Sequence, residues 1–525
     1  MPMTLFERRA PARLCGFRED CAGAGAMEKI DDKTAFSGGH ERTSGRKSVE
    51  DILADAQKVG LERRIGPAAL TLLGIGVIVG AGIFVLTGVA AAEFAGPAIS
   101  LSFVLAAAGC AFAGLCYAEF AAMIPAPGSA YTYTYATLGE LAAWFVGWNL
   151  ILEYTFAASY VAVGWSGYFG GLVEMLGGTL AGPLTAAPLD VADGRLVLTG
   201  NFINLPAVAI ILAVTLVACR GMTLSATLNA CIVALKLGVL VLFVGFGSLH
   251  MDADNLSPFI PPNSGEFGQF GWSGVLRGAA VVFVAYLGFD AVSAVAQEVR
   301  DPQRNMPIGI LLSLAICALI YAAVAVVLTG LAPYETLNVS NPLSVALRSA
   351  GGALDWLAPL VDVAAVAGLA SVVLVIVIAA PRVLLTMARD GLLPASLGKV
   401  DERRRTPMRA TMITGLSVAI LAGLFPIGIL AQLVSLGALT VFTAVCIGVL
   451  VLRRARPDLR RPFRVPGVAI VAPMGALLCL YLLSGLPKQS WILYAVWASI
   501  GAVIYFGFGR RSAGRVRAAN RPAPR

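Results

Sequence analysis

GIGVIVGAGIF, residues 74–84, sets four glycines into an apolar run that otherwise reads as one helix. A glycine inside a helix costs roughly 0.5–1 kcal/mol relative to alanine, so four together require a reason. Three readings compete: a nucleotide-binding turn, a helix-packing face, or a break that holds something polar. Gly74, Gly76 and Gly80 are spaced G-x-G-x-x-x-G, which departs from the dinucleotide spacing, and no strand-turn-helix context surrounds them. Gly76 and Gly80 also form G-x-x-x-G, the pattern of a membrane helix-packing face. Packing alone needs neither four glycines nor a second such place further along the chain.

Composition states what kind of helix this is. Of 525 residues, 58% are hydrophobic and only 13% charged, and the mean hydropathy is +0.80. These values exclude a soluble surface and describe a polytopic membrane protein. A helix needs about 20 apolar residues to cross the hydrocarbon. Twelve runs of that kind are expected, near 68–91, 98–123, 139–172, 203–219, 226–249, 273–299, 307–332, 356–388, 409–425, 428–452, 468–486 and 490–508. They are too long and too uniformly apolar for barrel strands.

The cations set the orientation. With residues 1–66 inside, the inner segments and tail collect 33 of the 39 Lys and Arg. The outer loops hold Arg195, Arg348 and Lys488, while Lys236, Arg277 and Arg382 fall in or at the ends of spans. This bias predicts both termini in the cytoplasm. It also accounts for the net charge of +8, so "RRARPDLRRPFR" (453–464) and "DERRR" (401–405) read as inner-leaflet anchors and no nucleic-acid partner is expected. Residues 1–66 lack the apolar core of a cleavable signal and are expected to be a disordered cytoplasmic segment, with Met27 an alternative start. Residues 509–525 form a basic cytoplasmic tail. Nine cysteines without paired spacing and two histidines suggest no disulfide framework, metal site or cofactor.

The second weak place lies in the sixth span, "VVFVAYLGFDAVSAVAQEVRDPQRNMP" (281–307), where Gly288 and the charged Asp290 sit well inside. A pair of interrupted helices in corresponding positions of two halves is the mark of transporters built from inverted repeats. A broken helix frees N–H groups where its second piece starts and C=O groups where its first piece ends, and a carboxylate and an ammonium group satisfy the two sets.

With these residues in view, the chain resembles the amino acid-polyamine-organocation superfamily. The motifs are "GIGVIVGAGIFVLTG" (74–88), "CYAEFAAMIPAPGSAYTYTYATLGE" (116–140), "GWNLILEY" (147–154), "FVAYLGFDAVSAVAQEVRDPQRNMP" (283–307) and "PRVLLTMARDGLLP" (381–394). Within that superfamily it is most similar to bacterial members of the cationic amino acid transporter family. The resemblance implies an all-α fold of twelve transmembrane helices, with spans 1–5 and 6–10 as two inverted five-helix repeats, two further helices outside them, and helices 1 and 6 broken. The permease domain would occupy residues 67–508.

Carried over residue by residue, the resemblance puts the substrate carboxylate against the N–H groups of Ala81 and Gly82. Its ammonium group would meet the C=O groups of Ile78, Val284, Ala285 and Leu287. Glycine is expected at Gly80 and Gly82 because a Cβ would obstruct the carboxylate or forbid unwound dihedrals. Phe283 and Tyr286 are candidates to line or cap the site, with ordinary lipid-facing or core aromatics as the alternative.

A charge at the centre of a span costs about 2.5–3.5 kcal/mol on the lenient insertion scale, so each asks for a role. The resemblance places the Lys236 ammonium group where sodium-coupled relatives bind a cation, which implies coupling through the gain and loss of its proton; a structural ion pair is the alternative. Glu119 and Asp290 match family acids implicated in the proton path or in bracing the inner gate. Glu153 matches a family position too, with a structural hydrogen bond as an equal reading. Asp362 and Arg382 read as interface contacts, and Arg389 and Asp390 as a cap and anchor for the eighth helix.

The expected activity is secondary active transport of L-amino acids across the cytoplasmic membrane by alternating access, with a proton as coupling ion and lipid as surroundings. No covalent chemistry is implied, so no enzyme activity is expected. No acid stands inside "GVIVGAGIF" or "FVAYLGF", which makes small neutral amino acids as plausible as cationic ones. An exchanger, a polyamine carrier or a non-transporting sensor of the same fold remain open, as does the oligomeric state.

Overall fold

The structure, a computed structural model, describes residues 65–124, 128–178, 182–192, 195–221, 226–294, 299–401 and 406–519. The segment expected over 1–66 therefore lies, up to residue 64, outside the described residues, and so do Met27 and the last six residues of the tail.

Long runs without charge fold as helices because a segment in hydrocarbon must satisfy its own N–H and C=O groups. In chain order the helices are α1 (Pro67–Ile78), α2 (Ile99–Met123), α3 (Ser129–Thr137), α4 (Glu140–Met175), α5 (Leu205–Cys219) and α6 (Ala226–Gly247). Next come α7 (Gly271–Val282), α8 (Phe289–Ala294), α9 (Pro302–Leu331), α10 (Pro342–Ser349) and α11 (Ala358–Arg389). The chain ends in α12 (Met408–Leu424), α13 (Ile427–Ala455), α14 (Val468–Ser484), α15 (Lys488–Ile504) and α16 (Arg510–Ala519). Among the described residues, seven segments are long and apolar enough to cross a membrane, and five apolar helices are shorter. Two of the short ones, α1 and α7, are short because the runs they begin are interrupted.

The first interruption follows Ile78. Val79 turns to an extended ψ of 93°, and after Gly80 the chain resumes through a π-type segment, Gly82–Leu86. The second follows Val282: a tight turn of helix, Phe283–Tyr286, ends at Leu287 with ψ 146°, and Gly288 at φ 121° sends the chain into α8. Gly288 is a position where the left-handed backbone requires glycine.

Around these breaks the long helices form a frame. α4 has 36 residues and α11 has 32, so each is about 50 Å long at 1.5 Å per residue and exceeds the hydrocarbon thickness. α4 packs on α11 and α13, while α9 packs on α1 and α2. α15 seats on α4 through tryptophans: Trp144 Nε1 donates to Gly501 O at 3.0 Å, and Trp148 stacks on Trp497 at 4.5 Å between ring centres. Gly501 permits this approach, since a Cβ there would stand 2.5 Å from the Trp148 ring.

Two features have no counterpart in the span pattern. Leu189–Ala192 (β1) pairs antiparallel with Arg195–Leu198 (β2), Leu189 opposite Leu198. The Asp193–Gly194 pair between them is a common hairpin signal in sequence. The start of the tail is helical, as α16 continues α15 through a π-type segment, Tyr505–Gly509.

Candidate functional site

The two interruptions cross. A Cβ built on Gly82 would stand 2.3 Å from Ala285 Cβ and 2.4 Å from its Cα, and one on Gly288 would stand 2.7 Å from Val77 Cγ1. Each break thus supplies one glycine whose missing side chain lets the other approach. Neither Gly80 nor Gly82 has positive φ. The expected dihedral reason therefore does not apply to them. Gly82 is required by the closeness of the opposite break, while a Cβ on Gly80 would make only ordinary contacts at 3.6 and 3.8 Å with Val372. Gly76 serves packing, with Val233 of α6 at 2.7 Å from its built Cβ, and Gly74 does the same against Ser313 of α9.

The backbone groups freed at the breaks are answered by side chains from distant helices. Lys236 of α6 is fully buried, and its Nζ donates to Gly76 O at 2.6 Å and Val79 O at 2.8 Å. These carbonyls are the negative end of α1, so a helix terminus balances the ammonium charge. Gly368 of α11 leaves room for the lysine stem, whose Cδ would lie 2.6 Å from a Cβ at that position. Tyr321 of α9 directs its hydroxyl at both breaks, 2.8 Å from Ile78 O and 3.1 Å from Ala285 O. Val284 O accepts from Leu287 N–H at 3.2 Å. On the donor side, the N–H groups of Gly80 and Ala81 have no paired acceptor among the described residues, and Tyr160 of α4 lines the cavity beside them.

Beside the crossing lies a cavity of about 40 Å³, walled by α1, α4, the second break and α11. Of the expected site residues, Ile78, Gly80, Val284, Leu287 and Asp290 line it. Ala81, Gly82 and Ala285 stand behind that wall at the crossing, where Gly164 of α4 brings its backbone close to Ala81. Phe283 and Tyr286 are fully buried and outside the lining. Phe283 meets Phe442 at 5.6 Å between ring centres, and Tyr286 donates its hydroxyl to Phe103 O at 3.0 Å. In this conformation both are packing residues.

Two acids face the cavity, and only one was expected from the sequence to carry protons. Asp290 accepts from Tyr154 at 3.0 Å and from Gly288 N–H at 3.1 Å, bracing the turn into α8. Glu153 is 2% exposed, and its Oε2 has no hydrogen-bond partner among the described residues. Glu119 is elsewhere. It binds Arg453 bidentately at 2.9 and 2.5 Å and accepts from Val465 N–H at 2.8 Å, with Arg461 at 3.6 Å. These contacts tie α2 to the last turn of α13 and to the basic segment that follows it. Asp362, near the start of α11, is buried; its Oδ1 accepts from Ser344 and its Oδ2 lies 3.7 Å from the half-exposed Arg348. Arg382 is exposed, and Asp390 accepts from Tyr131 at 2.7 Å at the end of α11. Tyr160 and Tyr321 were missed from sequence. They belong to α4 and α9, and no local pattern distinguishes them from core tyrosines.

Among known proteins, the family described as amino acid permease matches residues 65–508. The chain is 43% identical over 466 residues to a methylthioribose transporter of Bacillus subtilis, covering 89% of this chain and 97% of the relative. It is equally 43% identical over 468 residues to the branched-chain amino acid permease BcaP of the same organism, with the same coverage. The human cationic amino acid transporter 4 is 36% identical over 428 residues, 82% of this chain and 65% of the relative. These relatives are named as permeases and transporters, not as enzymes. The chain belongs to the amino acid permease family, within the amino acid-polyamine-organocation superfamily, and is an integral membrane protein.

Proposed function

We propose that the chain is a secondary active transporter that moves L-amino acids across the cytoplasmic membrane by alternating access, coupled to protons. One observation carries the reading: two interrupted helices cross at Gly82 and Ala285 beside a cavity lined by Ile78, Gly80, Val284 and Leu287 of the two breaks. Twelve spans, arranged as two inverted five-helix repeats plus two, would let one set of helices rock against the frame around that crossing. The permease domain takes residues 67–508, with the N-terminal segment and the tail in the cytoplasm, as the distribution of Lys and Arg supports.

The carboxylate goes to the N–H groups of Ala81 and Gly82, and the ammonium group to the carbonyls of Ile78, Val284, Ala285 and Leu287. Val77, Val161, Val372 and Ile376 give the cavity an apolar wall without a cation, which suits a neutral branched side chain. The relative named for branched-chain amino acids supports the same choice. A second reading, a cationic side chain, is favoured by the unpaired Oε2 of Glu153. Lys236 supplies the coupling, since losing its proton weakens its hold on Gly76 and Val79 and frees the end of α1.

Uptake by purified protein in liposomes with an imposed pH gradient tests this, using all twenty labelled amino acids and methylthioribose. Accumulation of leucine, isoleucine or valine supports the first reading, and of arginine or lysine the second. Accumulation of methylthioribose alone, or of nothing, refutes amino acid transport.

A further inference from the structure

Tyr321 belongs to neither broken helix, yet its hydroxyl stands within 3.1 Å of a carbonyl from each. It is fully buried, and its ring is fixed between Phe103 and Tyr286, with ring centres 5.6 and 5.2 Å away. Carbonyls freed by a helix break have no intrahelical partner, and burying them unpaired is costly. A phenol has one proton, so it donates to one of the two carbonyls at a time, whereas an ammonium group has three N–H donors and can serve both.

We propose that the Tyr321 hydroxyl is a resident substitute for the ammonium group of the substrate. It holds the Ile78 and Ala285 carbonyls between transport cycles and yields them when an amine arrives. Its strength as a donor therefore sets how strongly the site prefers an amine to the same molecule without one. This rests on the amino acid reading above and adds a specificity-determining residue to it. A substrate bearing an amine must displace the hydroxyl from the carbonyls, while a substrate lacking the amine leaves it in place. Weakening the substitute sharpens the preference, and strengthening it blunts the preference.

The test measures dissociation constants of L-leucine and 4-methylpentanoate, its counterpart without the amine, on purified full-length protein. Arginine and 5-guanidinopentanoate replace them if the uptake panel selects cationic substrates. In Tyr321→Phe the preference for the amine is expected to rise about fivefold, the equivalent of one neutral hydrogen bond. In Tyr321→4-aminophenylalanine, whose two N–H groups can hold both carbonyls at once, the preference is expected to fall. Tyr168→Phe removes a comparable buried hydroxyl that donates at 2.6 Å to Phe84 O, within the resumed segment and not to either of the carbonyls Tyr321 holds, and should leave the preference at the wild-type value. An unchanged preference in both Tyr321 variants, or equal weakening of both ligands, makes Tyr321 a packing residue and overturns the proposal. If Tyr321→Phe does not fold, the 4-aminophenylalanine variant decides alone, and an undiminished preference refutes. Wild-type protein that binds no amino acid overturns the transport reading and this proposal together; wild-type binding with insensitive variants overturns this proposal alone.

Discussion

Gly82→Ala is the most incisive perturbation of the crossing. The added methyl would start 2.3 Å from Ala285 Cβ and 2.4 Å from Ala285 Cα, whereas carbon atoms rest at about 3.5–4.0 Å. The breaks must therefore separate by about 1.2 Å or more. Neither neighbour can yield by a rotamer change, since one is backbone and the other is a methyl attached to it. Overpacking of this kind costs about 1–3 kcal/mol. The same shift moves the Ile78 and Ala285 carbonyls apart and loosens their shared Tyr321. Thermal unfolding in detergent should show the loss of stability, and uptake in proteoliposomes should fall at least tenfold, because a displacement near 1 Å disrupts a positioned site. Gly80→Ala is the matched comparison, since its methyl meets Val372 at an ordinary 3.6 Å and its φ is not positive. It should stay within about 0.5 kcal/mol of wild type. Ala285→Gly combined with Gly82→Ala removes the clash between the two methyls but leaves the one with the backbone of residue 285, so rescue should be partial. Wild-type unfolding and uptake in Gly82→Ala would refute the close crossing.

Three further outcomes are expected. Lys236→Met removes the donor to Gly76 O and Val79 O, so pH-driven uptake should vanish while the protein still melts cooperatively; uptake at the wild-type rate excludes Lys236 from coupling. Gly368→Ala places a methyl 2.6 Å from Lys236 Cδ, which should cost about 1–3 kcal/mol and slow uptake without changing any charge. Unaltered melting and uptake would mean that the lysine stem shifts freely. Glu119→Gln replaces one oxygen of a bidentate clasp on the partly exposed Arg453, and a loss of about 1–3 kcal/mol in thermal unfolding is expected. No loss would mean that the segment after α13 is held by other contacts.

The break positions were legible because they are local. Glycine density at 74–84 and Gly288 beside Asp290 weaken a helix wherever it sits, and the chain is interrupted at Val79–Gly80 and Leu287–Gly288. Lys236 was legible as a problem, since a charge that deep must find a partner. Its partner was not, because Gly76 O and Val79 O lie about 160 residues away in sequence. The reason for Gly82 was hidden by the same cause: its φ would accept another residue, and only the opposite break forbids a Cβ.

The sequence by itself determined that the chain is a bundle of membrane helices, which runs are apolar, and where two of them give way, because each follows from short-range hydropathy and backbone propensity. Tertiary structure alone decided what meets the freed backbone groups. Tyr321 reaches Ile78 across 243 residues, Lys236 caps α1 from α6, and Glu153 faces the cavity with an oxygen unpaired among the described residues. Those pairings depend on how α4, α6, α9 and α11 pack around the crossing. In hydrocarbon an unsatisfied carbonyl is expensive enough that some distant side chain must supply the missing donor, but the local sequence carries no record of which one.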